Sequence, residues 1–388
     1  MWVEMGDNNR VIARTITEAN RCPQIQIDRL AYPMKTRTER SEGFPVKVCE
    51  YDIPAQASSV RIAGQTLPLP RLNPHRIAVI GDTGCRLKGN QAQACNDPQQ
   101  WPFPKLAQTI ADWKPDLVIH VGDYLYREAL CPKDNLGCAG SAAGDNWQAW
   151  DQDFFTPAAS LSKVAPWLLA RGNHELCARG GKGWFYFLDP RPQTNKCQDY
   201  SDLYKVKLGA VDTIVMDAAL ADDLKVVPEQ VAIYEQQFQQ LQNMAHSPTW
   251  LLVHRPIWGM GQFPGLKFLN YSSNQTLQAA SKNHLPDPIS LILSGHIHIF
   301  EIASFADGRP PQSITGNGGT SLDTALSQLD GQSIAGTKVA NGISIDKFGF
   351  MTLESKGADS WVGTARGVDG SVQATCAIQN RQVVCSKR

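Results

Sequence analysis

The chain has 388 residues, 42% of them hydrophobic, enough to bury one large core and a smaller one. Its 37 basic and 37 acidic side chains cancel, so no global field draws in nucleic acid or an anionic membrane surface, and neither is expected as a partner. Apolar runs such as Leu291-Ile292-Leu293 fall far short of the roughly 20 residues of a membrane-spanning helix, which excludes a helical span.

Residues 1–71 read as a small N-terminal β domain. Short runs at Val11-Ile12-Ala13, Ile25-Gln26-Ile27, Val46-Lys47-Val48 and Val60-Arg61-Ile62 are separated by turn residues. The basic stretch Lys35-Thr36-Arg37-Thr38-Glu39-Arg40 is interrupted by an acid and reads as a solvated loop. Residues 67–74 are proline-dense and read as an extended linker. No chemistry precedes it; a scaffold, the rim of a site and an oligomer contact are all compatible with this region.

Over residues 72–388 the pattern changes to alternating strands and helices. Apolar strands are predicted over 76–80, 116–121, 166–170, 249–253 and 289–293, with helices over 106–113 and 229–244. Trp147, Trp150, Phe154 and Phe155 recur at helical spacing and read as core. From residue 299 onward the chain turns strand-rich and ends in a hairpin.

The ten cysteines fall into sequence neighbours: Cys22 with Cys49, Cys85 with Cys95, Cys131 with Cys138, Cys177 with Cys197, and Cys376 with Cys385. Five local disulfides are expected, with a thiolate metal site as the alternative. No Cys-x-x-Cys occurs, which speaks against zinc fingers, iron–sulfur ligation and thioredoxin chemistry together. Paired cysteines point to the periplasm or the extracellular space. The first six residues lack the basic and apolar regions of a signal peptide, so the expectation is that a leader has been removed.

Each of the five apolar strands delivers oxygen or nitrogen donors at its C-terminal end, where open α/β sheets place their sites. The set is Asp82, Asp123, Tyr126, Asn173, His254, His296 and His298, with His174 beside them. Two carboxylates, an amide oxygen, a phenol and three imidazoles match two adjacent metal ions, one hard and trivalent, the other divalent and borderline. Taken singly, an Asp after Gly caps a turn and a strand-end His packs in the core; it is the assembled set that marks a site.

The ordered blocks Gly-Asp-x-Gly at 81–84, Gly-Asp-x-x-Tyr at 122–126, Gly-Asn-His-Glu at 172–175, His254 and Gly-His-x-His at 295–298 resemble the purple acid phosphatase branch of the calcineurin-like metallophosphoesterases. The resemblance spans roughly residues 76–320, and Tyr126 is its discriminating residue. It implies a four-layer αββα sandwich of mixed α/β and α+β character. It also implies a dinuclear centre, with Fe3+ held by Asp82, Asp123, Tyr126 and His298, and Fe2+, Zn2+ or Mn2+ held by Asp123, Asn173, His254 and His296. Asp123 would bridge the ions with its two oxygens, and phenolate ligation would give a visible colour. A metal-bound hydroxide would attack a small phosphoester substrate in line.

Asp123 and His174 are the expected catalytic residues; His174 would meet the phosphoryl group or protonate the leaving oxygen. Glu175 either holds its ring or caps a helix. Asn173 and Arg255 are candidates to contact substrate, although Arg255 could equally pair with a surface acid. His120 reads as a core or supporting residue, and Asn317 as part of a site-adjacent loop or a plain turn. The chain departs from the family after His254, where Arg255-Pro256-Ile257-Trp258-Gly259 supplies no further histidine before His284. An acid phosphatase cleaving phosphomonoesters is the expected function. A phosphodiesterase or a broad phosphoester hydrolase on the same site is the first alternative, and a secreted binding protein without turnover the second.

Overall fold

The computed structural model describes residues 1–193, 196–262, 270–282, 284–357 and 359–387. Two large sheets lie face to face. The first has eleven strands, and its centre is the parallel trio Arg76–Ile80, Leu117–His120 and Trp167–Leu169. The second has eight, with Val211–Met216, Thr249–Val253, Ile289–Ser294 and Gln312–Thr315 running parallel.

Both faces of these central strands are covered, which is why they read as unbroken apolar runs rather than alternating ones. In Arg76–Ile80, Ile77 and Val79 face the second sheet, packing with Trp250, Leu252, Leu291 and Leu293. Ala78 and Ile80 face outward, against Phe103, Leu106 and Ile110 of the helix Phe103–Trp113. On the far side, Leu251, Val253 and Ile292 pack against Tyr234, Phe238 and Leu241 of the helix Pro228–Met244. The result is helix, sheet, sheet, helix, the layering expected from the sequence. The aromatic stripe also behaves as read, with Trp150 and Phe154 buried in the outer core of the first sheet.

The stretch 67–74 carries no strand or helix, but the sheet runs across it. Trp2–Met5 pairs in parallel with Trp167–Leu169, and Val11–Thr17, Lys47–Ile53 and Lys35–Thr38 continue the same eleven-stranded sheet. At the other edge are the four C-terminal strands from Gly349–Gly357 to Gln382–Lys387. The basic stretch expected as a solvated loop is in part a strand, and Arg37 is buried, giving hydrogen bonds to the carbonyls of Phe185 and Asp189. Arg14 donates to the carbonyls of Phe187 and Asp189 and pairs with Glu4 at 2.7 Å. A buried ionic cluster therefore ties the N-terminal strands to residues 185–189, which follow the Gly-Asn-His-Glu turn.

All five expected disulfides are formed, and no cysteine is free. No described helix is long and apolar enough to cross a membrane.

Candidate metal centre

The donor residues meet where the two sheets present the C-terminal ends of their parallel strands. Three of them leave their strands with left-handed backbone: Asp82 at φ 56°, Asp123 at φ 60° and His296 at φ 74°. This conformation is costly for residues with a Cβ, and it persists where surrounding contacts over-determine it. The neighbouring glycines make room. A Cβ on Gly172 would lie 2.1 Å from Asp123 Oδ1, and one on Gly295 would lie 2.3 Å from Asp82 Oδ2.

Two donor groups share Asp123. In the first, Tyr126 Oη lies 2.9 Å from Asp82 Oδ1, 2.9 Å from Asp123 Oδ2 and 3.1 Å from His298 Nε2. One phenol proton cannot satisfy three neighbours. In the second, Asn173 Oδ1 is 2.7 Å from His296 Nδ1 and 3.0 Å from His254 Nε2, and His254 Nε2 is 3.2 Å from Asp123 Oδ2. Ligands about 2.1 Å from one ion lie roughly 3.0–3.4 Å from each other; the first group, at 2.9–3.1 Å, and the second, at 2.7–3.2 Å, lie at or just below that spacing. Among the described residues, Asp123, His254 and His296 offer ligand atoms within 4.8 Å of one another. Only Oδ2 of Asp123 faces both groups; Oδ1 accepts the backbone N–H of His174 at 2.7 Å.

Each ligand imidazole is oriented from behind. His254 Nδ1 donates to the Val121 carbonyl at 2.8 Å, His298 Nδ1 to the Ser321 carbonyl at 2.9 Å, and His296 Nε2 to Asp223 Oδ2 at 2.8 Å. For His296 and His298 the other nitrogen is left with its lone pair toward the donor group, as metal-ligating histidines require. Burial lowers His298 to about 3 and also lowers His296, which keeps these lone pairs free of protons at neutral pH. His254 differs: burial opposes its charge, but Asp123 outweighs burial and lifts it to about 9. His254 would give up that proton to serve as a ligand, since a bound cation beside Asp123 would supply the same positive charge. Burial and the charge of Asp123 raise Asp82, whereas Asp123, equally buried, is held low by His254 and His174. The donor set therefore fits a metal ion at Asp123, His254 and His296, and the Tyr126 group offers a second set of donor atoms beside it.

His174 stands apart from both shells. Its Nδ1 is 3.0 Å from the Leu125 carbonyl and 2.7 Å from Glu128 Oε1, and its Nε2 is 3.9 Å from Asp123 Oδ2. Its ring is thus held by Glu128 and Leu125, while Glu175 takes backbone N–H groups instead. Glu128 lies two residues beyond Tyr126 and was not singled out by the sequence, although the run Gly-Asp-Tyr-Leu-Tyr-Arg-Glu placed it one turn from a donor. Arg179 pairs with Glu128 and packs on the His174 ring. Arg255 pairs with Asp223, another acid the sequence did not single out, and its Nη1 is 3.0 Å from His296 Nε2. His120 is the supporting residue it was read as, bonded to Thr83 Oγ1 at 3.0 Å and stacked on Tyr124. Asn317 belongs to a loop that lies against the site: the N–H groups of Gly318 and Thr320 donate to the carbonyls of Gly81 at 3.1 Å and Asp82 at 3.0 Å, and the Asn317 side chain donates to the Lys347 carbonyl at 2.7 Å.

The chain is 23% identical over 271 residues to purple acid phosphatase 23 of Arabidopsis thaliana, a match covering 64% of this chain and 53% of the relative, so it spans about half the relative's length. The solved structure of purple acid phosphatase PPD1 from yellow lupin (Lupinus luteus) seeds superposes with a TM-score of 0.62 at 14% identity, over 96% of this chain and 72% of that one. The structure of PhoD gives a TM-score of 0.62 at 12% identity, over 100% of this chain and 91% of that one. At these identities the structural matches establish the fold. The model of the calcineurin-like phosphoesterase family matches residues 75–300, more than half of the chain, and the protein belongs to that family.

Proposed function

We propose that the protein is a dinuclear metal-dependent acid phosphatase that hydrolyses phosphomonoesters. The observation that carries this reading is the sharing of Asp123 Oδ2 between a tyrosine-containing donor group and an Asn/His donor group. Asp82, Asp123, Tyr126 and His298 would hold Fe3+, and Asp123, Asn173, His254 and His296 would hold Fe2+, Zn2+ or Mn2+. When bound, the ions polarise the phosphoryl oxygens and bring the pKa of coordinated water towards 7. His174 presents Nε2 beside Asp123, and in its protonated form, which burial disfavours by lowering it to about 4, it delivers a proton to the leaving oxygen. Glu128 and the Leu125 carbonyl fix its ring for that transfer. Asn173 is a neutral ligand that limits the positive charge the second site must balance, and its role is ligation rather than substrate contact. Five disulfides favour a periplasmic or secreted setting.

Metal analysis with a visible spectrum of the purified protein, followed by turnover of a chromogenic phosphomonoester and the matching diester, tests the reading. Iron, a band that vanishes in Tyr126→Phe and faster monoester turnover support it. A colourless protein holding only zinc or manganese overturns the ferric assignment, and a preference for the diester overturns the substrate class.

A further inference from the structure

Arginines near the centre mostly have an acid at hand: Arg127 pairs with Asp153, Arg171 with Asp217, Arg179 with Glu128 and Arg255 with Asp223. Arg86 differs. Every partner described for its guanidinium is neutral: Nη1 donates to Gln91 Oε1 at 3.1 Å, Nε to Thr320 Oγ1 at 3.4 Å, and Nη2 lies 3.4 Å from His298 Nε2. The guanidinium carbon sits 5.2 Å over the Tyr126 ring. The guanidinium therefore has no direct carboxylate partner among the described residues, is half-buried, and is placed against the ring nitrogen and the phenol that define one donor group.

Its backbone is fixed as firmly as the donors themselves. Arg86 N donates to Gln93 Oε1 at 2.8 Å, and the Gln93 amide is anchored on the carbonyls of Gln100 at 2.6 Å and Gly319 at 2.8 Å. The Cys85–Cys95 disulfide closes this loop, and Cys85 N donates to Asp153 Oδ1 at 3.1 Å. With metal ions bound beside it, a guanidinium held on neutral anchors would face like charge, and an anion placed between them would relieve that repulsion. A fixed fork of N–H donors is also the group best matched to phosphoryl oxygens.

Building on the phosphoester hydrolase reading, we propose that Arg86 is a substrate-binding residue that receives the phosphoryl group and selects the dianionic monoester over the monoanionic diester. The selection follows from charge: one unpaired guanidinium gains about twice the Coulomb energy from a dianion as from a monoanion at the same distance.

The test uses the metal-loaded full chain and its Arg86→Ala and Arg86→Lys variants. Calorimetric titration with inorganic phosphate is run beside turnover of a phosphomonoester and the matching diester, with metal content measured in each sample. Arg86→Ala is expected to bind phosphate at least about tenfold more weakly and to lose roughly 10²-fold in monoester kcat/KM. It should lose clearly less on the diester and keep its metal, and Arg86→Lys should recover part of the phosphate affinity. Unchanged phosphate affinity and monoester kcat/KM in Arg86→Ala overturn the proposal while leaving the hydrolase reading intact. Equal losses on monoester and diester overturn the selectivity. Wild-type protein that binds phosphate through Arg86 but turns over neither ester overturns the hydrolase reading and leaves Arg86 as an anion site.

Discussion

The Glu175 carboxylate accepts the backbone N–H of Asp123 at 3.0 Å, so the residue shared by both donor groups is positioned through its main chain by an acid from the next strand end. The same carboxylate accepts from Tyr124 at 2.8 Å, Leu125 at 3.2 Å and Gly172 at 3.0 Å. Four buried donors depend on it. Leaving a buried donor unsatisfied costs about 1–3 kcal/mol, so Glu175→Ala is expected to lose roughly 4 kcal/mol or more of stability and to weaken metal binding. Glu175→Gln keeps one acceptor oxygen and should lose less. Thermal denaturation of metal-free and metal-loaded protein checks both.

Tyr126→Phe removes one oxygen from a fully buried ring and leaves its packing against His174 in place. The fold is expected to survive, with a change of about 1–2 kcal/mol in metal-free protein, since one hydrogen bond between buried groups is lost. The visible band and the ion of that donor group should go with it. A variant spectrum identical to wild type would refute tyrosine ligation.

Asp123→Asn and His174→Ala should separate metal binding from proton transfer. The first is expected to lose metal and activity together. The second should retain metal while kcat falls about 10²–10⁴-fold, the usual contribution of a positioned general acid. Glu128→Gln, which keeps the shape but weakens the hold on the His174 ring, is expected to cost about tenfold. If His174→Ala empties a metal site, its role is ligation instead.

Glu301 gives a pH dependence away from the centre. It is buried, with the Met260 N–H at 3.1 Å from Oε1, and burial pushes it up to about 8 against the pull of Met260 and the Ser344 hydroxyl. The unfolded chain releases this proton near 4.5, so between about pH 4.5 and 8 the folded state binds more protons than the unfolded one. Stability from this group is therefore present in acid and lost as pH rises through that window, by up to roughly 4 kcal/mol. Glu301→Gln should flatten the profile and be more stable than wild type at pH 9, as urea titrations at pH 5 and pH 9 would measure.

The Cys177–Cys197 disulfide closes the loop that carries Arg179. Replacing both cysteines by serine is expected to remove about 3 kcal/mol, the scale for a loop of this length. It should also loosen the Arg179 contact with His174, lowering kcat more than it raises KM. Thermal melts and initial rates check the two effects separately.

The sequence by itself determined the five strand ends and the donor types they carry, because buried parallel strands are written as apolar runs and the residues that leave them stand out by their chemistry. It also determined the cysteine pairs, since each disulfide joins close sequence neighbours. Tertiary structure alone decided what surrounds those donors. Glu128 and Asp223 belong to loops with no periodic pattern, and only the packing of separate strand ends brings them to His174 and His296. The role of Glu175 likewise required knowing where the backbone of residues 123–125 passes. The N-terminal strands carry no mark in sequence of the sheet they join, because pairing is made by backbone groups that every residue has. Lys35-Thr36-Arg37-Thr38 looked solvated by composition, yet Arg37 is buried there because carbonyls distant in sequence, those of Phe185 and Asp189, meet its charge.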